Sequence, residues 1–238
     1  MPFYEQGDVR INYELIGAGP PVLLIAPGGM RSAFELWANM PWNPLEALAD
    51  SFQLVAMDQR NAGDSWAPIA PADSWDVYTA DQLGLLDHLG IGQFSVVGMC
   101  IGGPYVMGLI KAAPTRVQRA VMLQPIGLDD NREAFYEMFD GWAGEVAPAH
   151  PEADATTLAS FRSHMYDGDF MFNATREDVA ACPVPLLVMM GDDLYHPQSV
   201  SRDIASIAPD VLFVEQWKEP SVLDETNRTI REFLTGLR

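Results

Sequence analysis

The sequence predicts an α/β protein with a mostly parallel, doubly wound sheet, formed as a single domain over residues 1–238. Two observations predict this class. Six short apolar runs recur along the chain, and such runs are typical of strands that are buried on both faces. Helical stretches lie between these runs, and strands that alternate with helices form parallel sheets with right-handed crossovers.

The strands are expected in the following order. The segment FYEQGDVRINYEL (3–15) predicts a hairpin, because two alternating runs flank a Gly7-Asp8 turn. The buried strands follow. They are predicted at PVLLIA (21–26), FQLVAM (52–57), FSVVG (94–98), RAVML (119–123), PLLVMMG (185–191) and VLFVEQW (211–217).

Four helices are predicted between and after these strands. Ser74 can cap a helix that runs to Leu89, in which Tyr78, Leu85 and Leu86 share one face. Further helices are expected over 101–113, where Pro104 is tolerable in the first turn, after Pro197, and over 222–237.

The segment 127–181 interrupts the alternation of strands and helices. It carries aromatic residues and methionines among polar ones, and it follows the fourth buried strand. We interpret it as an inserted helical lid, since a long connection inside a compact domain commonly serves a functional purpose.

Composition narrows the classes of partner. The chain has 14 basic and 33 acidic side chains, a net charge of −19, which opposes binding to nucleic acid, anionic membranes and polyanionic substrates. No apolar run approaches the roughly 20 residues of a membrane span, and the first residues show no signal peptide. With two cysteines, the expected location is the cytoplasm. We expect a small-molecule substrate, no cofactor and no metal, and the oligomeric state stays open.

The segment VVGMCIGG (96–103) carries the most specific signal. A buried strand ends in Gly98, and Cys100 stands between this glycine and Gly102 at the start of a helix. Such a turn is so sharp that its flanking residues must be small, and it pushes the middle side chain into the open. A thiol at a helix N-terminus is biased toward the thiolate. The alternative is an inert core thiol.

Four motifs in this order resemble the α/β-hydrolase fold over nearly the whole chain. APGG (26–29) resembles the family's oxyanion loop with Pro27 in place of its histidine, and MDQRNAGDS (57–65) resembles the D-x-R-G-x-G-x-S turn. GMCIGG (98–103) is similar to G-x-Ser-x-G with cysteine for serine, and MGDDLYHP (190–197) is similar to the acid loop. Each motif alone is weak, but four in the family's order at strand ends form a specific pattern.

The resemblance implies roles for individual residues. Cys100 takes the place of the nucleophile, and Asp193 best matches the acid, with Asp192 as the second choice. The backbone N–H groups of Gly29 and Ile101 would form the oxyanion hole. The candidate substrate contacts lie near these motifs and strand ends. They are Met30, Met99, Gln124 and Trp217.

The family's histidine after the last strand is missing, and Trp217 and Lys218 stand in that loop. His88 is expected to be structural, while His150 and His164 fall in the inserted segment. His196 follows Asp193 by three residues in the acid loop, so it is the candidate base, although a solvent-facing residue at a helix start is an equally simple interpretation. Lys218 is expected outside the site.

These features predict a cysteine-dependent hydrolase of the esterase, thioesterase or lactonase type, which acts on a small activated carboxylic derivative through a Cys100 acyl-enzyme. A thiol tolerates the loss of a base better than a serine does, because a few per cent is already ionised at neutral pH. Without a proton donor, amides would be poor substrates. Two alternatives stay open: a non-hydrolytic lyase, isomerase or decarboxylase of the same fold, and a degenerate ligand-binding member.

Overall fold

The computed structural model of the protein describes residues 2–237 and contains an eight-stranded sheet in the order β1-β2-β4-β3-β5-β6-β7-β8. The hairpin β1-β2 is antiparallel, and β2 runs antiparallel to β4, whereas all the other neighbours are parallel. The α/β class and the parallel sheet predicted from the sequence are therefore confirmed. The strands are β1 (Phe3–Gln6), β2 (Val9–Ile16), β3 (Pro21–Ile25), β4 (Gln53–Met57), β5 (Phe94–Met99), β6 (Val117–Leu123), β7 (Leu186–Met189) and β8 (Val211–Val214).

Helices cover the sheet on both sides. Short 3₁₀ turns at Gly29–Arg31, Phe34–Asn39 and Ala147–Ala149 complete the helical segments. Among the described residues, no helix is both long and apolar enough to cross a membrane. The α-helices are α1 (Pro44–Ala47), α2 (Trp75–His88), α3 (Gly102–Ala112), α4 (Arg132–Val146), α5 (Ala155–Tyr166), α6 (Arg176–Ala180), α7 (Gln198–Ile207) and α8 (Leu223–Thr235).

The core lies on both faces of the sheet because the strand residues alternate between them. Leu23 and Ile25 of β3 pack on the face that carries α2, α3 and the inserted helices. Val22 and Leu24 pack on the opposite face with α8. Both sets are fully buried, which explains why β3 is apolar throughout instead of alternating with polar residues.

The last strand is shorter than the sequence predicts. β8 ends at Val214 and not at Trp217, because its neighbour β7 ends at Met189 and the pairing stops there. As the edge strand of the sheet, β8 has β7 as its one neighbour. Trp217 and Lys218 therefore belong to a loop, and the Trp217 indole N–H donates to the carbonyl of Met190 at 2.9 Å.

The segment between β6 and β7 consists of α4, a 3₁₀ turn, α5 and α6. Its aromatic side chains pack together and onto the sheet. Phe135 and Phe139 of α4 are fully buried, and Phe139 meets Phe161 of α5 edge to face at 5.2 Å between ring centroids. Phe135 and Met138 also reach the cavity described below.

A buried ion pair holds the turn after β4. Arg60 Nε and Nη2 donate to the two carboxylate oxygens of Asp81 on α2, at 2.7 and 2.8 Å. The exposed fraction of each side chain is below a tenth, at 7% and 5%. Arg60 therefore has a structural task, since the ion pair ties the turn to α2.

We expect Asp81→Asn to lower the free energy of unfolding by about 3 kcal/mol, because it leaves the Arg60 guanidinium buried without its counter-charge. Asp87→Asn on the same helix is the control. Its carboxylate pairs with Arg116 but is 67% exposed, so a loss below about 1 kcal/mol is expected. Urea unfolding of both variants measures the difference, and equal losses would contradict the prediction.

Candidate active site

Cys100 sits on a strained turn between β5 and α3. Its φ is +62°, which an L-residue adopts only when the surroundings enforce it. The surroundings do so: the Cys100 N–H donates to Leu123 at 3.0 Å, and its carbonyl accepts from Gly103 and Ile126 at 3.0 and 3.1 Å. A Cβ on Gly98 would lie 2.5 Å from the Gly102 carbonyl oxygen. The close approach predicted for this turn is therefore present, and Gly98 must be small.

Asp193 and His196 form a compact pair in the loop after β7. Nδ1 of His196 lies 2.7 and 2.8 Å from the two carboxylate oxygens of Asp193. The backbone N–H groups of Tyr195 and His196 donate to the same carboxylate at 3.0 and 3.1 Å. These bonds fix the imidazole orientation, so that Nδ1 faces the acid and Nε2 is directed elsewhere.

The His196 side chain is buried rather than turned to solvent, which argues against the solvent-facing interpretation. Its Nε2 atom is buried and lacks a hydrogen-bond partner at normal distance among the described residues. The electrostatic partner that faces it is the Cys100 thiol. Catalytic hydrogen bonds are often long before substrate binds.

The two groups shift each other's pKa in opposite directions. Burial alone would raise the pKa of the Cys100 thiol, but the interaction with His196, together with the N–H groups of Gly28 and Ile101, outweighs burial and lowers it. Burial alone would lower the pKa of His196, but its interactions with Cys100 and then Asp193 raise it to about 9. Each group therefore stabilises the charged form of the other.

Two backbone N–H groups point toward the Cys100 sulfur and help to lower its pKa. They belong to Gly28 and Ile101. The sequence names Gly29 and Ile101 as donors to the substrate oxygen, which stays a prediction, and it did not indicate the contact of the Gly28 N–H with the sulfur. Gly28 has φ +116°, a conformation open to glycine. Gly29 still lines the cavity.

A cavity of about 350 Å³ adjoins Cys100. Its surface is mostly apolar, and the polar side chains are few. The apolar side chains come from the loop before α1, the end of β6, α4 and the acid loop. They are Met40, Ile126, Phe135, Met138 and Tyr195.

Of the four predicted substrate contacts, Gln124 lines this cavity, and the other three do not. Met99 and Trp217 are buried together on the face of the sheet that carries α8. Met30 packs into the core on the other face. All three side chains are at most 2% exposed, because these strand-end and turn residues pack into the hydrophobic core and do not line the cavity.

The loop that lacks the family's histidine reaches the rim of the site through Lys218. Its ammonium pairs with Asp192 and donates to Gln124 Oε1 at 3.2 Å. Lys218 is not among the cavity-lining residues, but it is one hydrogen bond away from one of them. The adjacent carboxylates thus have different partners, since Asp192 pairs with Lys218 and Asp193 with His196.

The other histidines are remote from the thiol. His88 packs against Tyr4 at 5.6 Å between ring centroids. His150 stacks on Trp66 and pairs with Glu152. His164 is exposed on α5. Within residues 2–237, no cluster of three or more His, Cys, Asp or Glu side chains is arranged to hold a metal ion.

The two thiols should differ in reactivity. Cys182 is buried, donates to the Val184 carbonyl at 3.4 Å and has a pKa raised by burial. Iodoacetamide at pH 7 should therefore alkylate Cys100 more than about tenfold faster, because a tenfold difference in thiolate fraction accompanies each unit of pKa. Peptide mapping by mass spectrometry measures both rates, and equal labelling would argue against an activated Cys100.

Comparisons with known proteins agree with this fold. Residues 21–184 match the family model of the alpha/beta hydrolase fold. The chain is 36% identical to a protein of Azorhizobium caulinodans named "Putative carbamate hydrolase RutD", over 99% of this chain and 97% of the relative.

Two solved structures share the fold. A variant of the meta-cleavage product hydrolase CumD superimposes with a TM-score of 0.74 at 21% identity, covering 99% of this chain and 98% of that one. The enol-lactonase from Burkholderia xenovorans LB400 gives 0.73 at 22% identity, covering 98% and 100%. The chain belongs to the α/β-hydrolase-fold family and is a hydrolase.

Proposed function

We propose that the protein is a cysteine-dependent hydrolase of a small activated carboxylic derivative, with Cys100 as nucleophile, His196 as acid and base, and Asp193 orienting the imidazole. The observation that carries the proposal is the pairing of a strained, strand-end thiol with a buried histidine whose Nδ1 is fixed by a carboxylate. Nucleophile, base and orienting group in this relation form the general arrangement for covalent catalysis.

In the first half of the proposed reaction, the Cys100 thiolate attacks the carbonyl carbon and a C–S bond forms. The oxygen takes the negative charge and accepts hydrogen bonds from the N–H groups of Gly28 or Gly29 and Ile101. When the bond to the leaving group breaks, the proton on His196 Nε2 passes to that group. The products are a Cys100 thioester and a neutral His196.

In the second half, water attacks the thioester carbonyl while His196 Nε2 takes its proton. The C–S bond then breaks and the acid product leaves, which regenerates the thiolate and the imidazolium. Asp193 keeps Nε2 directed at the reacting atoms in both halves. Its pKa is lowered: burial opposes this, but the hydrogen bond and charge of His196 outweigh burial.

The cavity favours a compact, weakly polar substrate, because its lining is mostly apolar and the net charge of the chain is −19. The restriction to activated leaving groups came from the missing histidine. His196 offers a proton donor, which makes that restriction less severe than the sequence alone implied. Both cysteines are free thiols, which is consistent with the proposed cytoplasmic location.

We expect short p-nitrophenyl esters and simple thioesters to acylate Cys100, and the matching anilides to react more slowly, because expelling an amine requires a proton in place first. Mass spectrometry of the intact protein and of the Cys100 peptide detects the adduct. If no adduct forms although iodoacetamide reaches Cys100, the non-hydrolytic enzyme or the ligand-binding alternative is favoured.

A carbamate is a second candidate substrate, and the observation that favours it is the 36% identity to the Azorhizobium caulinodans protein over nearly both full lengths. A small carbamate fits the compact cavity, and its hydrolysis uses the same attack on a carbonyl carbon. Release of amine from alkyl carbamates, compared with release of acid from the matched esters, tests which of the two the site prefers.

A further inference from the structure

Gln124 stands out because its backbone is strained. Its φ is +38°, and it directly precedes Pro125, a position that disfavours helical backbone conformations. Strain of this kind is kept only where the surrounding structure enforces it, and it is common at functional sites. Its N–H donates to the Met189 carbonyl at 2.8 Å, so the residue bridges the ends of β6 and β7.

The orientation of the Gln124 amide follows from its partner. An ammonium group donates hydrogen bonds and accepts none, so the atom 3.2 Å from Lys218 Nζ must be the amide oxygen. The NH₂ end is then turned away from Lys218. Among the described residues, this end makes no hydrogen bond, although Gln124 is a half-buried lining residue of the cavity.

Lys218 is itself held. It pairs with Asp192, and its side chain is 24% exposed, so the ammonium is fixed between a carboxylate and the Gln124 oxygen. A cation on the amide oxygen polarises the amide and makes its N–H groups better donors. The chain Asp192–Lys218–Gln124 therefore ends in an unpaired, polarised donor in an otherwise apolar wall.

We infer that Gln124 is a specificity-determining residue that donates a hydrogen bond to a second oxygen of the substrate, close to the reacting carbonyl, and that Lys218 is its positioning residue. The inference rests on the proposed function, since it describes the substrate of the Cys100 site. The predicted class is a small carboxylic derivative with an ether or carbonyl oxygen beside the reacting carbon, rather than a plain alkanoyl derivative.

Two isosteric pairs of probes test this inference. The first pair is p-nitrophenyl methoxyacetate and p-nitrophenyl butyrate, which differ by one oxygen in place of one methylene. The second pair is 1-chloro-3-methoxypropan-2-one and 1-chloropentan-2-one, which alkylate Cys100 as its thiolate displaces chloride. The second pair requires no hydrolysis, so it reports on Gln124 even if the proposed turnover fails.

For each pair, the rate with the oxygen-containing probe is divided by the rate with its isostere. This ratio is then divided by the same ratio for a simple nucleophile, hydroxide or glutathione, which removes the difference in intrinsic reactivity between the two probes. We expect a corrected ratio of about three to ten for the native protein, the size of one neutral hydrogen bond. Gln124→Met should bring it to about one. Lys218→Met should lower it, and Lys218→Arg should restore it, which a merely structural role of Lys218 would not produce.

Gln93→Met is the control, since Gln93 is exposed in the loop before β5, and its ratio should equal that of the native protein. A corrected ratio near one in the native protein, or a ratio that survives Gln124→Met, would overturn the inference. Loss of ester turnover with retained discrimination between the chloroketones would overturn the proposed hydrolysis and leave the role of Gln124 standing.

Discussion

Replacing Cys100 with alanine should reduce the hydrolysis of a short p-nitrophenyl ester by at least about 10⁴-fold, and it should remove the acyl adduct entirely. The reason is that the sulfur is the atom that forms the covalent bond, so no part of the acylation path survives its loss. Removing a nucleophile from a comparable catalytic triad costs about 10⁶-fold in kcat. Burst-phase kinetics and intact mass of the variant measure both effects.

Cys182→Ala is the matched control, because it removes the other thiol of the chain from a buried position that does not line the cavity. It should retain the adduct and most of the activity. Turnover in Cys100→Ala above a hundredth of the native rate would show that the thiol is not the nucleophile. The lyase, isomerase or decarboxylase alternatives, which use the N–H groups without an acyl-enzyme, would then become the better account.

The sequence predicts the fold well because its signals are local. The Gly7-Asp8 turn and the apolar runs each depend on a few neighbouring residues, and β3 to β7 begin or end within two residues of the predicted positions. β8 departs from its prediction because its end is set by pairing with β7, a non-local effect. The close contact between Gly98 and Gly102 was also predictable, since both lie within the turn itself.

The site was less predictable because several of its contacts join distant segments. The sequence places His196 beside Asp193 but does not reveal whether the ring faces the thiol or solvent. That orientation depends on the hydrogen bonds of the folded loop. Lys218 meets Gln124 across 94 residues of sequence, which no local pattern could indicate. The Gly28 amide was missed because the motif matches the family by residue type, whereas the direction of an N–H depends on the backbone dihedral angles.

The second large effect concerns His196. His196→Gln should lower kcat/KM for the same ester by about 10²–10⁴-fold near neutral pH, the usual contribution of a general acid–base group. The variant should also need a higher pH to ionise Cys100. His196 makes the largest contribution that lowers the thiol pKa against the opposing effect of burial, so its loss should raise the pKa.

The direction of the shift in the Cys100 pKa can be measured with iodoacetamide, a probe that reacts only with the thiolate. In the native protein the iodoacetamide rate at Cys100 should rise with pH through a midpoint below the ordinary thiol pKa, since the partner His196 stays protonated up to about pH 9. In His196→Gln the midpoint should move upward, and the rate at pH 6 should fall more than the rate at pH 9. His164 is an exposed histidine on α5, and His164→Gln should leave the profile unchanged.

If His196→Gln keeps both the native turnover and the native midpoint while Cys100→Ala is inactive, Cys100 acts as a lone thiolate. The lowered pKa would then have to come from the N–H groups of Gly28 and Ile101 and the N-terminus of α3.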